Sequence, residues 1–454
     1  MMSDVWEDTT LHGVRCAKGL RQGCPMSPLL FALVLSELEE RLVGLKNKGF
    51  KIKDYSKGGE EWRIPGIFLA DDIVLLEEEN EGMKDLVDET GRFGEEKDME
   101  FSMGKTRSVK FAGEMEMIGL MLRGQEIEKA EVYEYLGVKM GVWEDYLQSH
   151  EDKVRSRTKK LAGMVKAAGK GILCRPEMMR MMWKGAAVPA ITYGQEVLCM
   201  SKDLRGEMDK AQREVGLRAL GGTQLTAQEG LEGEWGCSNF EVREARAKLG
   251  FEGRLRFMGT GRWAKKVYMY VGVQCRNTRW EKKVRKIGEW KGIENRTPGG
   301  TVEQWVSRER KEAEQRGLGD RIGKAQGKSS LKYYREGKSG GWSGIYDGTF
   351  GSDLLFRARV GALETRRRMR WLGGTTECGI CGEGVEDLEH VMLKCEGLKE
   401  ERQKLQWENM VEGEEVNMVR HRLGLGREDE KDRQWREDAM TYLKSWKKLG
   451  GGVT

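Results

Sequence analysis

The sequence holds no apolar run near the roughly 20 residues that cross a bilayer, and its opening, MMSDVWEDTT, has neither the basic start nor the apolar centre of a signal peptide. These absences argue against a membrane-spanning or secreted chain and lead to the expectation of an intracellular one. No fixed period runs through it, which excludes a solenoid of repeats. Histidine (4) and proline (6) are scarce, so histidines in a regular spacing carry information. Strong net charge is missing as well. The 79 basic and 74 acidic side chains leave +5, so any nucleic-acid role must rest on local clusters. The nine cysteines, an odd number scattered over 454 residues, suit reduced thiols and a metal site better than a disulfide framework.

What is present is 38% apolar and 34% charged sequence, long enough for about three domains or one large assembly. The 61 glycines accompany abundant Glu, Lys, Arg, Met and Trp, a set with A/G-rich codons that points to a purine-rich coding strand. Residues 1–140 mix strand-like and helical pieces irregularly, which argues for an α+β fold. Ser27 and Pro28 read as the cap and first position of a helix over LLFALVLSELEERLVGL, with a buried start and a surface-lying end. An acidic helix is expected over 79–97, then a strand and Gly-Lys turn in MEFSMGKTRSVKF. MEMIGLML and EVYEYLGVKM read as a further strand pair. From about 145 to 265 the pattern is helical, with Met178–Met182 as core filler. Residues 266–350 read as a loosely packed connector.

One stretch, IFLADDIVLL over 67–76, poses a physical problem. It sets Asp71 and Asp72 between four apolar residues on each side, and an unpaired buried carboxylate is costly. Either the pair forms the tip of a β-hairpin and nothing more, or the tip also holds a hard divalent cation that relieves the repulsion of two adjacent carboxylates.

Taken together and in this order, GLRQGCPMSPLLF, LADDIVLL, SMGKT and YEYLGV resemble the reverse transcriptases of non-LTR retrotransposons. The resemblance implies a partial polymerase palm, an antiparallel sheet with helices, followed by an all-α thumb. It implies Asp71 and Asp72 as ligands of Mg²⁺ in a two-metal nucleotidyl transfer. Gly19, Arg21, Gln22 and Gly23 would line the nucleotide and template path, or form an ordinary loop before a helix. Lys105 would sit near the triphosphate, or be a solvent-facing turn lysine. Tyr135, Leu136 and Gly137 would grip the primer end, or be strand core. The implied partners are an RNA template, a DNA primer or target and deoxynucleoside triphosphates, with no membrane, and the implied location is the nucleus or a cytoplasmic ribonucleoprotein.

Near the other end, CGICGEGVEDLEHVMLKC sets Cys378, Cys381, His390 and Cys395 in a C-x2-C-x8-H-x4-C spacing. Three thiolates and an imidazole so spaced can close a tetrahedral Zn²⁺ site, and an unliganded loop is the alternative. Just before it, RARVGALETRRRMR supplies Arg357, Arg359, Arg366, Arg367, Arg368 and Arg370, with Trp371 next. This is a solvated helix face or, beside a zinc knuckle, a grip on RNA or single-stranded DNA.

The expected organisation is thus a partial palm over 1–140, a helical thumb over 141–265, a basic connector over 266–370, a CCHC zinc knuckle over 371–400 and a helical tail over 401–454. In the family a third carboxylate lies on a strand well before the GLRQG stretch. Asp4, Glu7 and Asp8 do not match its pattern, and the family's fingers and endonuclease regions find no counterpart. Leu69 replaces the usual aromatic before the Asp pair, and Ser102 replaces the usual Asn. A truncated copy, or a reading begun at an internal methionine, is therefore expected, and a catalytically inactive remnant that binds nucleic acid stands as the alternative to a polymerase. A nucleotide cyclase also pairs acids on a palm-like hairpin, but GLRQGCPMSP and YLGV would have no role in it.

Overall fold

The computed structural model describes residues 2–7, 10–15, 20, 23–54, 59–111, 116–142, 146–170, 174–273, 278–291, 300–334, 342, 344–405, 414–425 and 433–453. The chain divides into two compact units, one of residues 1–146 with 258–276 and the other of residues 147–257 with 277–454.

The first unit is α+β, but its strands form six separate two-stranded ladders among the described residues and not one continuous antiparallel sheet. Five are antiparallel, and Arg107–Ser108 pairs in parallel with Glu128–Lys129. A lone two-stranded ladder is marginal in water and needs a helix to pack on. The helix Ser27–Gly44 supplies one, with Leu35, Leu38 and Leu42 buried at i, i+3, i+7 against Leu86 and Phe93 of the helix Asn80–Glu96. Phe68, Ile73 and Leu75, from one face of the Gly66–Leu69/Asp72–Leu75 hairpin, close this small core.

Two expectations change here. Met26, not Ser27, occupies the cap position, with Pro28 inside the first turn. The burial of this helix is also the reverse of the expected one. Leu29 and Leu33 are 56% and 60% exposed, while the second half carries the stripe that meets the acidic helix. A segment apolar nearly all round does not specify which turns face the core.

The acidic helix forms as expected, over Asn80–Glu96. Its Gly94 lets the Phe101 ring approach so closely that a Cβ would stand 2.5 Å from it. Among the described residues, MEMIGLML and EVYEYLGVKM do not pair with each other. Met121–Leu122 turns back on Gln125–Glu126, and Val132–Tyr135 on Val138–Gly141. The helix Trp263–Val273 joins this unit through Lys266, whose Nζ lies 3.1 Å from the centroid of the Trp62 ring and 4.6 Å from that of Trp263. Trp62 and Trp263 meet edge to face at 5.7 Å.

The second unit is almost wholly helical. Gln148–Ala168 packs on Lys202–Leu220, and Arg175–Met182 passes through a π-helical turn, Trp183–Ala187, into Val188–Ile191. Pro189 lacks the N–H that a regular ladder needs, which suits a change of register there. Of the expected methionine filler, Met179 is buried but Met181 is 67% exposed.

The stretch expected as a connector contributes ordered helices. The 25-residue helix Val302–Gln326, opened by a Thr301/Gln304 capping box, lies along Phe240–Phe257. Phe350–Arg359 packs on Arg433–Lys448. The high glycine content hid this packing, because glycines such as Gly253, against the Trp305 ring, are what let these helices approach. The Cys-His segment is likewise no separate module. Cys378, Val391, Met392 and Cys395 belong to the same buried cluster as Trp183, Trp235, Phe356 and Trp446.

Candidate active site and metal centre

The hairpin register places Leu69 opposite Asp72, so that Ala70 and Asp71 form a two-residue loop. Ala70 adopts φ +51, the left-handed region that a tight hairpin turn demands and that costs a non-glycine residue strain. Asp71 and Asp72 are both exposed, so neither charge is taken out of water and the burial problem of the sequence dissolves. Strand alternation puts Phe68 and Ile73 on the core side and leaves Ile67 and Leu69 half in solvent, on the side shared with Asp72. Two adjacent, accessible carboxylates on a short rigid hairpin suit a hard cation with oxygen ligands.

The Val132–Tyr135/Val138–Gly141 hairpin ends in Leu136 and Gly137, at φ +48 and +79. Positive φ at both loop positions fits the right-handed twist of its strands. Tyr135 lies within electrostatic reach of Asp72. Burial and then the Asp72 charge push its phenol above the usual range, and its Oη has no hydrogen-bond partner among the described residues. Lys105 is exposed in a turn closed by its own N–H donating to the Ser102 carbonyl at 2.9 Å, with Thr106 N–H on the same oxygen at 3.0 Å. Gly23 is exposed at φ +83, a conformation that favours glycine. Gly19, Arg21 and Gln22 lie outside the described residues.

The Cys-His cluster of the second unit is closely assembled. The ligand atoms of Cys378, Cys381, His390 and Cys395 all lie within 4.8 Å of one another. The sulfurs of Cys378 and Cys395 are 3.7 Å apart, and Cys381 Sγ is 3.4 Å from His390 Nε2. Zn–S bonds near 2.3 Å and Zn–N bonds near 2.0 Å at tetrahedral angles imply separations of about 3.8 and 3.5 Å. The donor set and spacing therefore fit Zn²⁺.

The local chain makes that arrangement. Gly382 and Gly384 take positive φ, Gly382 N–H donates to the Cys378 carbonyl at 2.9 Å, and Glu383 N–H points at Cys381 Sγ at 3.4 Å. Asp387 Oδ1 accepts from His390 N–H at 2.9 Å, and a π-helical turn over His390–Lys394 sets Cys395 back toward Cys378. Burial and the neighbouring Cys378 and Cys381 push the Cys395 thiol up to about 12, and burial lowers His390. Three thiolates this close repel one another unless a cation joins them.

The arginine run divides in two. Arg359 is fully buried, paired with the equally buried Glu234 at 3.2 Å and donating to the Leu423 carbonyl at 2.9 Å. Arg357 donates to the Gly221 carbonyl at 2.6 Å and to Glu364 at 3.0 Å. These two hold the fold together and are not a solvated face, because their helix packs against the core. Arg366 lies over the cysteine turn, donating to the Glu377 carbonyl at 3.3 Å, and Arg368 leans on the Leu225 carbonyl at 3.5 Å. Arg367 is exposed but paired with Asp387 at 2.7 Å. Arg370 and Trp371 stand in solvent, Trp371 64% exposed, beside the exposed Leu372.

One residue of this region escaped the sequence reading. Glu386 is fully buried within the cysteine-histidine loop. In EGVEDLEH it looks like any of four acids, and no local signal separates it from them.

Comparison with known proteins adds an independent line. Residues 2–140 match the family described as reverse transcriptase (RNA-dependent DNA polymerase). Over 71 residues the chain is 42% identical to the retrovirus-related Pol polyprotein from type-1 retrotransposable element R2 of Nasonia vitripennis. That stretch is 16% of this chain and 6% of that polyprotein, so the match spans a small part of its relative. Residues 2–140 are thus similar to the reverse transcriptases, and the chain shares a short stretch with a retrotransposon polyprotein.

Proposed function

We propose that the chain acts in RNA-directed DNA synthesis, with Asp71 and Asp72 as its reactive centre. The observation that carries this reading is the pair of exposed carboxylates at the tip of a two-residue hairpin within the matched segment. These two would hold Mg²⁺, which when bound stabilises charge on the attacking and leaving oxygens of phosphoryl transfer. Lys105 would offset triphosphate charge and supply a proton to the departing pyrophosphate. Gly19, Arg21, Gln22 and Gly23 would line the path of nucleotide and template, and Tyr135–Gly137 would brace the primer end. An RNA template, a DNA primer or target and deoxynucleoside triphosphates are the partners, in the nucleus or a cytoplasmic ribonucleoprotein.

A second reading has its own support in the cysteine-histidine cluster and the exposed Arg370 and Trp371. Here Zn²⁺ stabilises the fold, and the protein binds RNA or single-stranded DNA through phosphate contacts and stacking without catalysis. Primer extension on an RNA template with Mg²⁺, run beside Asp71→Asn, decides between them. Product from the native chain alone supports the polymerase. Salt-sensitive binding by both, with no product from either, supports the binding protein.

A further inference from the structure

Glu386 is the point where the cysteine-histidine loop meets two other parts of the chain. Its Oε1 accepts from the backbone N–H of Arg366 at 3.3 Å and of Gly452 at 2.7 Å. Its Oε2 accepts from Gly379 N–H at 3.4 Å, with Arg366 Nε at 4.0 Å. A carboxylate with no solvent exposure is costly unless its lone pairs are used, and here three peptide donors use them, Gly379 from the cysteine turn and Arg366 and Gly452 from outside the loop. Gly379 stands inside the turn between Cys378 and Cys381, and the Arg366 guanidinium lies so close over it that a Cβ would come within 2.3 Å. The cysteine turn is thus held between Glu386 and Arg366.

The other end of the connection is as closely built. After the helix Arg433–Lys448 the chain doubles back: Lys447 Nζ binds the carbonyls of Gly451 at 3.4 Å and Val453 at 3.0 Å. Val453 N–H donates to the Glu364 carbonyl at 3.3 Å. Gly452 sits at φ +77, and a Cβ on it would meet the Glu364 oxygen at 2.6 Å. Only glycine brings this N–H to Glu386 without displacing the segment.

We infer that Glu386 is a positioning residue for the metal centre and couples metal retention to docking of Gly450–Val453. The inference rests on the reading of the cluster as a Zn²⁺ site. Coupling of this kind is reciprocal: loading the metal fixes Gly379 and with it the carboxylate that receives Gly452, and loosening that segment frees the carboxylate and the cysteine turn.

The test loads the full chain with Zn²⁺ and follows its transfer to a chromogenic chelator. Glu386→Gln keeps the side chain's shape but turns an amide donor toward backbone donors, and Gly452→Ala acts from the far end, leaving Glu386 and all four ligands in place. Both are expected to release Zn²⁺ about ten-fold faster or more, the scale of outer-shell changes at zinc sites. Tryptic cleavage after Lys447 and Lys448 is expected to quicken when the native protein is stripped of metal. Should Glu386→Gln not fold, Gly452→Ala decides alone. Zn²⁺ uptake with native release rates in the variants overturns the coupling while leaving the metal site standing. No uptake by the native chain overturns the metal reading and this inference with it.

Discussion

Asp71 and Asp72 stand in solvent at the end of a hairpin, whereas Glu234 and Arg359, separated by 125 residues, face each other with no solvent exposure at all. The first pair keeps its hydration and stays open to ligands. The second is desolvated, so each partner depends on the other: Tyr346 donates to Glu234 at 2.5 Å, and Arg359 reaches the Leu423 carbonyl. Exposure and burial thus separate chemistry from cohesion. The first unit carries accessible groups on small ladders, and the second binds its helices through buried charge and aromatic packing.

The largest effect expected from breaking that contrast lies at the buried pair. Arg359→Ala leaves the Glu234 carboxylate uncompensated and should cost about 3–5 kcal/mol in denaturant unfolding, with the double change Glu234→Leu/Arg359→Met recovering part of it. A loss under about 1 kcal/mol in the single variant would show that water reaches Glu234.

A half-buried charge that is poorly compensated should behave oppositely when removed. Asp209 caps the helix Phe240–Phe257 by accepting Phe240 N–H at 3.0 Å, and burial pushes its carboxyl up to about 6. Because the folded value lies above the unfolded one, ionised Asp209 weakens the fold at neutral pH, and the penalty fades as pH falls from 6 toward 4. Asp209→Asn keeps the acceptor and should gain about 1–3 kcal/mol at pH 7.5, with no gain at pH 4. A gain independent of pH would point to packing instead of charge.

Much of the first unit was legible in the sequence because its signals are local. The hairpin at Asp71 and the acidic helix are each written within a few residues, whereas the turn at Leu136 and Gly137 breaks a stretch that read as a single strand. The Cys-His assembly was legible for the same reason, its ligands falling within one loop of chain. What was not legible depends on partners remote in sequence: Glu234 with Arg359, Lys266 with Trp62, Glu386 with Gly452. Periodicity marks a face as apolar or polar without naming what covers it. That is why Leu29 and Leu33 were expected inside and Arg359 outside.

The smallest expected effect returns to the hairpin tip, where strain and accessibility meet in adjacent residues. Ala70 holds φ +51 between Leu69 and the carboxylates, and its Cβ makes that conformation unfavourable by about 1–2 kcal/mol. Ala70→Gly removes the clash but frees the unfolded chain, so a net gain of only ~0.5 kcal/mol should appear in unfolding. Ala70→Val, β-branched at positive φ, should lose about 1–2 kcal/mol. The pair of signs matters more than either size. If both substitutions proved neutral, the loop would not be held in the left-handed turn, and Asp71 and Asp72 would lose the rigid mounting that the proposed cation site requires.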